Sequence, residues 1–539
     1  MVTPTFTSLP YKLRQQIYHE YFKLDDGYVC NASGKLTTAD KQPIDLSLIY
    51  TCRLIASEAK DTPLAVNIIS FSTIYSRELS PWAGRFQYLI KFYTLMEADL
   101  VLRLAPYITP EMWPEIATKF PQFSSTLRSI LEQKWLWNGY IKDWGSLDFR
   151  RNITSLRGFS GLLGPTDPAW LHGSYLNTHT IQEAIRLSLD LVVPTQKSKF
   201  AKLVNKMVPG WTSSRSPIYD RFVQLRLHQW AFPSRSELEA MGDELQDDAE
   251  WRFIQNWYRE EYTYREVGER YCQVDNGWRN REKYRFSATA VAIRFLGHLS
   301  ARQRLSLQSL SIHEDQFSVG NPEFHAQGLF PFCKENPQLR IERRVSLWGN
   351  VFQTHELGGS LRQLSSWRNN PLQVGASSLS DGVASWLIGG LAVLDADIPP
   401  ESITLLLDGE PALDYTAEIF KTVVQRDLAF ALAFEPYSES IHSSRPNLHF
   451  CLEGFPRALR HLTNGTSIFR CNFNPGQFWD IHGMIDERQY WTALDHFRSW
   501  QQREPKRLDF CRYFPDWPRY LFENFEQEWS PLPETEQLI

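Results

Sequence analysis

The sequence predicts an α+β protein. Two observations support this fold class, and a third marks the end of the folded part. Apolar residues recur with helical spacing through most of the first 300 residues. After residue 300, strand-like runs alternate with helical ones, which is typical of a mixed α/β body. The last residues are acidic and hold two prolines. We therefore divide the chain into an N-terminal helical module (1–78), a mostly helical region (79–300), an α/β region (301–520) and an acidic tail (521–539).

The composition is that of an ordinary globular protein with many aromatic residues. Of 539 residues, 42% are hydrophobic and 22% are charged. Aromatic residues reach 14% and include 19 Trp, which requires a large core or a broad binding face. The formal net charge is −5, whereas nucleic-acid-binding domains are usually basic, so a nucleic-acid partner is not expected.

The cysteines and the apolar runs indicate in which cellular compartment the protein is expected. There are 7 Cys, an odd number, and no C-x-x-C pair occurs. This pattern favours reduced thiols and thus a cytoplasmic or nuclear location. The N-terminus lacks a secretory signal pattern. The apolar run 386–394 is far shorter than the roughly 20 residues that a membrane span needs, so no membrane partner is predicted.

The N-terminal module is predicted from two short helices and a strand. Apolar spacing predicts helices over 5–22 and 45–60, the second ended by Pro63. The polar segment 24–44 between them predicts a loop or a small hairpin. Residues 64–75 are rich in Val, Ile and Phe and predict a strand.

The middle region is predicted to be mostly helical. Its strongest pattern covers 234–262, where Ser234 and Glu237 form a capping box ahead of an apolar stripe. Further helices are predicted at 180–193 and 287–298.

The C-terminal region is predicted to mix strands and helices. Strands are predicted at 305–312, 339–347, 403–407, 428–434, 447–452 and 466–473. Helices are predicted at 322–335, 412–426, 455–463 and 486–502. The segment 360–381, rich in Ser, Gly and Asn, predicts a loop, and 523–539 a loosely attached tail. Since no period is kept throughout, an irregular leucine-rich-type solenoid stays open as an alternative.

The two N-terminal helices carry a recognisable motif. Residues 9–18 read LPYKLRQQIY, and residues 48–59 read LIYTCRLIASEA. This pattern resembles the F-box-like module of many filamentous-fungal proteins, typically LP-x-E-L-R-x-x-I-Y followed by L-x-x-T-C-R-x-I-x-x-E-A. The remainder, including the run RIERRV at 340–345, is similar to long, uncharacterised fungal proteins of the same kind.

The resemblance implies a function in protein interaction. An F-box docks on a Skp-family adaptor of a cullin–RING ubiquitin ligase, while the rest of the chain holds a protein substrate, here unknown. Docking of this kind buries apolar anchors in a groove of the partner. The residues that the resemblance assigns to adaptor binding are Leu9, Pro10, Leu13, Ile17, Leu48, Cys52 and Arg53.

Two features differ from the family pattern and leave an alternative open. Lys12 stands where the family commonly has Glu, and the polar insertion 23–44 separates the two helices. The same apolar residues could instead pack on the chain's own body, which would make the module a structural cap on a scaffold without a ligase link.

An enzyme is a further alternative, although the sequence contains no convincing catalytic constellation. His313, Glu314 and Asp315 follow a predicted strand, the position where α/β enzymes often place catalytic side chains. A polar turn leaving the strand explains them equally well. We predict no catalytic residue, metal site or cofactor, and we expect a non-enzymatic protein-interaction protein.

Overall fold

The structure is a computed structural model and describes residues 5–31, 33–132, 178–207, 218–224, 226–245, 259–267, 270–353, 373–434, 454–509, 513 and 517–529. This part of the chain combines helices with three sheets. The fold class is α+β, as predicted.

Most strands within the described residues have three to seven residues and two are longer. Most of them pair with strands that are distant in the sequence. In chain order they are β1 (Tyr28–Cys30), β2 (Leu36–Thr38), β3 (Ile69–Ser72), β4 (Arg259–Val267), β5 (Arg270–Glu282), β6 (Ser309–Glu314), β7 (Arg340–Ser346), β8 (Gln373–Gly375), β9 (Ile403–Asp408), β10 (Phe469–Cys471), β11 (Arg507–Asp509) and β12 (Phe525–Trp529).

The helices of the described residues surround these strands. They are α1 (Tyr11–Phe22), α2 (Arg53–Ala59), α3 (Thr62–Val66), α4 (Ser80–Leu104), α5 (Trp113–Lys119), α6 (Pro121–Glu132), α7 (Thr178–Val192), α8 (Lys197–Met207), α9 (Ile218–Gln224), α10 (Arg235–Leu245), α11 (Ala288–His298), α12 (Ala301–Ser306), α13 (Phe330–Glu335), α14 (Ala376–Leu394), α15 (Leu413–Ile419), α16 (Gln425–Phe434), α17 (Phe455–Thr463), α18 (Ile481–Glu487), α19 (Ala493–Gln502) and α20 (Trp517–Asn524). Short 3-10 turns lie at Phe6–Ser8, Ser47–Tyr50, Ala105–Tyr107, Pro322–Leu329 and Val351–Gln353, and a π-helical turn at Phe420–Val424.

A seven-stranded sheet runs through the molecule in the order β10-β9-β7-β6-β3-β1-β2. All its pairings are parallel except that of β1 with β2. Apart from β2, the strands lie side by side in the order in which they occur along the chain, as in a solenoid. The connections between them differ greatly in length, so the arrangement has no constant repeat. Strands of the predicted N-terminal module and of the predicted α/β region share this sheet.

The two smaller sheets are antiparallel. One pairs β11 with β8, and the other has the order β12-β5-β4.

Three clusters of buried apolar side chains hold the described fold together. The first lies between the large sheet and helices such as α4, α7, α8 and α11. The second surrounds α14 and includes Trp348, Trp386 and Phe420. The third is small and lies in the N-terminal module, between α1 and α2.

Helix α14 contains the apolar run 386–394. Within the described residues it is the one helix with the length and composition of a membrane span, but 67% of its most apolar window is buried inside the protein. A core helix has the same properties, and α14 packs at the centre of the second cluster.

The predicted helix over 234–262 is wrong at its C-terminal end. Its start is confirmed, because Ser234 and Glu237 form the capping box at the beginning of α10. The helix ends at Leu245, 246–258 lie outside the described residues, and β4 begins at Arg259. Pairing with β5 outweighs the local pattern here, because aromatic and β-branched residues of β4 suit a strand once a partner is present.

Two predictions in the C-terminal region are also wrong. The predicted strand 428–434 is part of α16, whose alternating alanines are strong helix formers. The predicted loop 360–381 overlaps α14, which already begins at Ala376. Of the other predicted strands, 339–347 and 403–407 are confirmed by β7 and β9, while 447–452 lies outside the described residues.

The N-terminal elements agree with the prediction only in part. The helix predicted over 5–22 begins at Tyr11, and the strand predicted over 64–75 is limited to Ile69–Ser72, because 64–66 belong to α3. The segment 24–44 contains the hairpin of β1 and β2. The predicted helix 45–60 is interrupted, because Cys52 has an extended backbone between the 3-10 turn Ser47–Tyr50 and α2. Pro63 does not end a helix but lies in the first turn of α3, where the lack of an amide hydrogen costs nothing.

The predicted loose tail is wrong for its described part. Residues 525–529 form β12, which pairs with β5. Phe525 is buried, and the buried Glu526 forms an ion pair with Arg281 of β5. Tyr75 also donates to Glu526 at 3.0 Å. A buried carboxylate with these partners explains why an acidic segment is held in place.

Candidate functional site

Helix α1 exposes an apolar stripe to solvent. Leu13, Ile17 and Tyr21 are spaced by four residues, which places them on one side of the helix. Leu13 is 46% exposed and Ile17 is 41% exposed. These three residues are called the α1 face below. Large exposed apolar side chains in a contiguous group are typical of interaction sites.

The adjacent side of α1 is buried against the module. Tyr18 and Phe22 pack with Ile55 and Ala59 of α2 in the third cluster. Because the buried stripe already anchors α1, the α1 face is not needed to hold the helix in place.

A partly buried ionic network joins α1 to α2. Arg14 contacts both carboxylate oxygens of Glu58, with Nε–Oε2 at 2.9 Å and Nη2–Oε1 at 2.5 Å. The Tyr18 hydroxyl donates to Glu58 Oε2 at 2.9 Å. Donation from Arg14 lowers the pKa of Glu58, and burial raises the pKa of Tyr18. Arg14 also donates to the carbonyl of Leu9, which fixes the segment that enters α1.

The motif residues thus divide into two groups with different positions. Arg14, Tyr18 and Glu58 are positions of the motif to which the sequence assigned no role, and the structure shows that they connect α1 to α2. Arg14 and Tyr18 are four residues apart, so the motif places them on one side of the helix.

The structure places the predicted adaptor residues mostly at the surface. Pro10, Leu13, Ile17, Cys52 and Arg53 are exposed. Leu9 and Leu48 are half-buried, and Leu48 packs against the third cluster.

The module is joined to the large sheet through β1 and β3. The amide of Tyr28 donates to the carbonyl of Ile68 at 2.8 Å where this pairing begins. The buried Asn67 accepts from the amide of Leu24 at 2.8 Å and donates to the carbonyl of Phe22 at 2.7 Å. The α1 face is therefore held in a defined position relative to the sheet.

The three residues of the possible enzyme site do not converge. Glu314 is fully buried, whereas Asp315 is exposed and accepts from the amide of Thr73 at 3.0 Å. His313 lies on the opposite side of β6 from Glu314, and its Nε2 contacts the hydroxyl of Ser311 at 2.9 Å. Since the three side chains point to separate surroundings, they form no common reaction site.

Glu314 instead belongs to a buried network under the sheet. One of its carboxylate oxygens accepts from Arg343 Nη2 at 3.0 Å and from the Thr289 hydroxyl at 2.5 Å. Arg343 Nε donates to the same hydroxyl oxygen at 2.9 Å. The amides of Ala288 and Thr289, at the start of α11, also donate to Glu314. This network connects β6, β7 and α11 and is structural.

Glu323 lies beside this network and should make the stability depend on pH. Burial raises the pKa of its carboxyl from the ordinary 4.5 to about 7, although Arg343 lowers it. The protonated carboxyl therefore supports the fold fully below about pH 4.5, and this support is lost as the pH rises through 7. We expect Glu323→Gln, which cannot ionise, to be more stable than the wild type by about 3 kcal/mol at pH 8.5 and about equal to it at pH 4.5.

Urea unfolding across this pH range measures the difference. Glu418→Gln on the exposed side of α15 is the control and should leave the pH profile unchanged. Parallel profiles for wild type and Glu323→Gln would show that the carboxyl is not held in its protonated form.

A serine–histidine contact was not predicted. The Ser287 hydroxyl lies 2.6 Å from His325 Nδ1, and His325 Nε2 lies 2.8 Å from the carbonyl of Gly320. A carbonyl only accepts, so Nε2 carries the hydrogen and Nδ1 accepts from Ser287. Ser287 also caps α11 by accepting from the amide of Ala290, and both side chains are only 1% exposed. Because the Ser287 hydroxyl is buried, a substrate cannot reach it as a nucleophile. Its role is to cap α11.

Within the described ranges, no three His, Cys, Asp or Glu side chains come together as a metal site. Comparison of the chain with models of protein families, with curated proteins and with solved structures gave no match.

Proposed function

We propose that the protein is a non-enzymatic interaction protein that docks on a Skp-family adaptor through the α1 face. In this role it would be an F-box-type substrate receptor of a cullin–RING ubiquitin ligase, and its protein substrate is unknown. The observation that carries the proposal is the exposure of Leu13 and Ile17 on a helix whose other side is already packed.

The division of the α1 side chains supports docking over an internal cap. A cap would bury Leu13 and Ile17 against the chain's own body, but both are more than two-fifths exposed. Anchors spaced by four residues suit insertion of a helix into an apolar groove. The exposed free thiol of Cys52 fits a reducing compartment, and we infer a cytoplasmic or nuclear location.

Replacing the α1 face should abolish adaptor binding without unfolding the protein. In co-purification of the full chain with a fungal Skp-family adaptor, we expect Leu13→Asp with Ile17→Asp to reduce the bound adaptor by at least about tenfold. Carboxylates in an apolar groove are left desolvated and unpaired, which explains the direction. The free energy of unfolding in urea should fall by no more than about 1 kcal/mol, because both positions are exposed and only helix propensity is lost.

The matched control carries the same two charges elsewhere. Leu305 in α12 and Leu494 in α19 are 55% and 51% exposed, and their double replacement by Asp should leave adaptor binding intact. Absence of wild-type binding, or equal binding by the α1-face variant, would contradict the proposal and favour a scaffold without a ligase link.

A further inference from the structure

One side of the large sheet is lined by polar side chains that reach solvent. Along β7, Ile341, Arg343 and Val345 are buried, while the alternating residues Arg340 and Glu342 are exposed and Arg344 is half-buried. The same alternation holds in β6 and β9, whose inward residues are buried and whose outward residues are half-buried. Parallel sheets are normally covered on both sides, so a polar open side is unusual.

The charged part of this open side lies on β7, β9 and β10. Register places Arg344 beside Leu406 and Leu406 beside Arg470, so these residues face the same way. We call the outward charged residues of these three strands the arginine face; they are Arg340, Glu342, Arg344, Asp408 and Arg470.

The arginine face presents mainly positive charge, although the whole chain carries −5. Of its two carboxylates, Glu342 is 48% exposed, but Asp408 is only 14% exposed. Oδ1 of Asp408 accepts from Asn472 Nδ2 at 2.7 Å and from the amide of Glu410 at 3.0 Å, while Oδ2 lies 3.5 Å from Arg344 Nη1. Three guanidinium groups therefore stand against two carboxylates, an excess of one positive charge.

Arg344, near the middle of the sheet, is held only by long contacts. Its contacts with Glu342 and Asp408 are long, at 3.6 and 3.5 Å. Its Nε is buried and has no hydrogen-bond partner among the described residues, although the side chain as a whole is 41% exposed. The Nε itself is out of reach of a partner, but Nη1 and Nη2, whose present contacts are the long ones, can donate two hydrogen bonds to an incoming carboxylate.

We propose that the arginine face binds an acidic segment of a partner protein. The face offers hydrogen-bond donors and charge but little apolar area, which suits a polar extended segment better than an apolar helix. It lies on strands other than those of the N-terminal module, so this inference does not depend on adaptor docking by the α1 face. Carboxylates of the segment would pair with Arg344 and its neighbours.

A selection from random peptides tests the proposal on the full chain. Dodecapeptides displayed on phage are selected on the wild type alone. The recovered peptides should be rich in Asp and Glu. By fluorescence anisotropy, a recovered peptide should bind Arg344→Gln at least about fivefold more weakly, which corresponds to about 1 kcal/mol.

Two further variants and one competitor decide the outcome. Glu342→Gln should tighten peptide binding, since it removes the exposed negative charge of the face. Arg235→Gln, at an exposed position of α10, makes the same charge change elsewhere and should leave binding unchanged. Recovery of peptides without acidic bias, equal loss with Arg235→Gln, or displacement of the peptide by an oligonucleotide of equal charge would each overturn the proposal.

Discussion

Replacing Arg343 by methionine is expected to destabilise the protein by about 3–5 kcal/mol, because the change leaves a buried carboxylate without its charge partner. Arg343 and Glu314 are 2% and 0% exposed at their side chains. Arg343 also donates to the carbonyls of Pro322 and Glu323 and lies over the ring of Trp386 at 4.7 Å. Methionine fills similar space but satisfies none of these acceptors.

The urea midpoint at pH 7 measures this effect. Arg340→Met on the same strand is the matched control, because Arg340 faces outward and surface changes usually cost less than about 0.5 kcal/mol. Adding Glu314→Leu to Arg343→Met should restore part of the loss, since it removes the unpaired charge. A loss below about 1 kcal/mol for Arg343→Met would mean that the amides of α11 alone satisfy Glu314.

The Arg343 network also shows what the sequence can and cannot predict. The alternation along 339–347 predicts a strand and puts Arg343 on the same side as Ile341 and Val345. That side proves to be the buried one. Its partner Glu314 lies on another strand, and nothing local to either residue indicates the pairing. The parallel register of β6 with β7 brings them together, and that register depends on contacts far along the chain.

The N-terminal module also combines elements that the sequence predicts with a strand pairing that it does not predict. Apolar spacing predicts its first helix, α1, and the α2 part of the second, but it does not predict the extended backbone at Cys52. The insertion 23–44, which departs from the family pattern, contains β1 and so supplies a strand to the large sheet. Sequence alone predicts a small hairpin there, because the strand that β1 joins comes later in the chain.

The attachment of β1 to β3 depends on Gly27, and Gly27→Ala should destabilise the protein strongly. Gly27 has a φ of +62°, and a Cβ at this position would lie 2.2 Å from the carbonyl oxygen of Ile68. That oxygen accepts the amide of Tyr28, so the first hydrogen bond between the two strands is displaced. We expect a loss of about 3 kcal/mol from backbone strain, collision and the broken hydrogen bond together.

Gly34, in the turn between β1 and β2, is a control that separates the strain of a left-handed backbone from the steric collision of a Cβ. Its φ is +77°, but a Cβ there would meet nothing within 4 Å. Gly34→Ala should therefore cost only about 1 kcal/mol, the strain of a left-handed backbone. Hydrogen exchange should distinguish the two variants further, because only Gly27→Ala should expose the amides of β1 while those of β6 and β7 stay protected. Equal losses in the two variants would show that the close approach of Gly27 to Ile68 does not hold the module on the sheet.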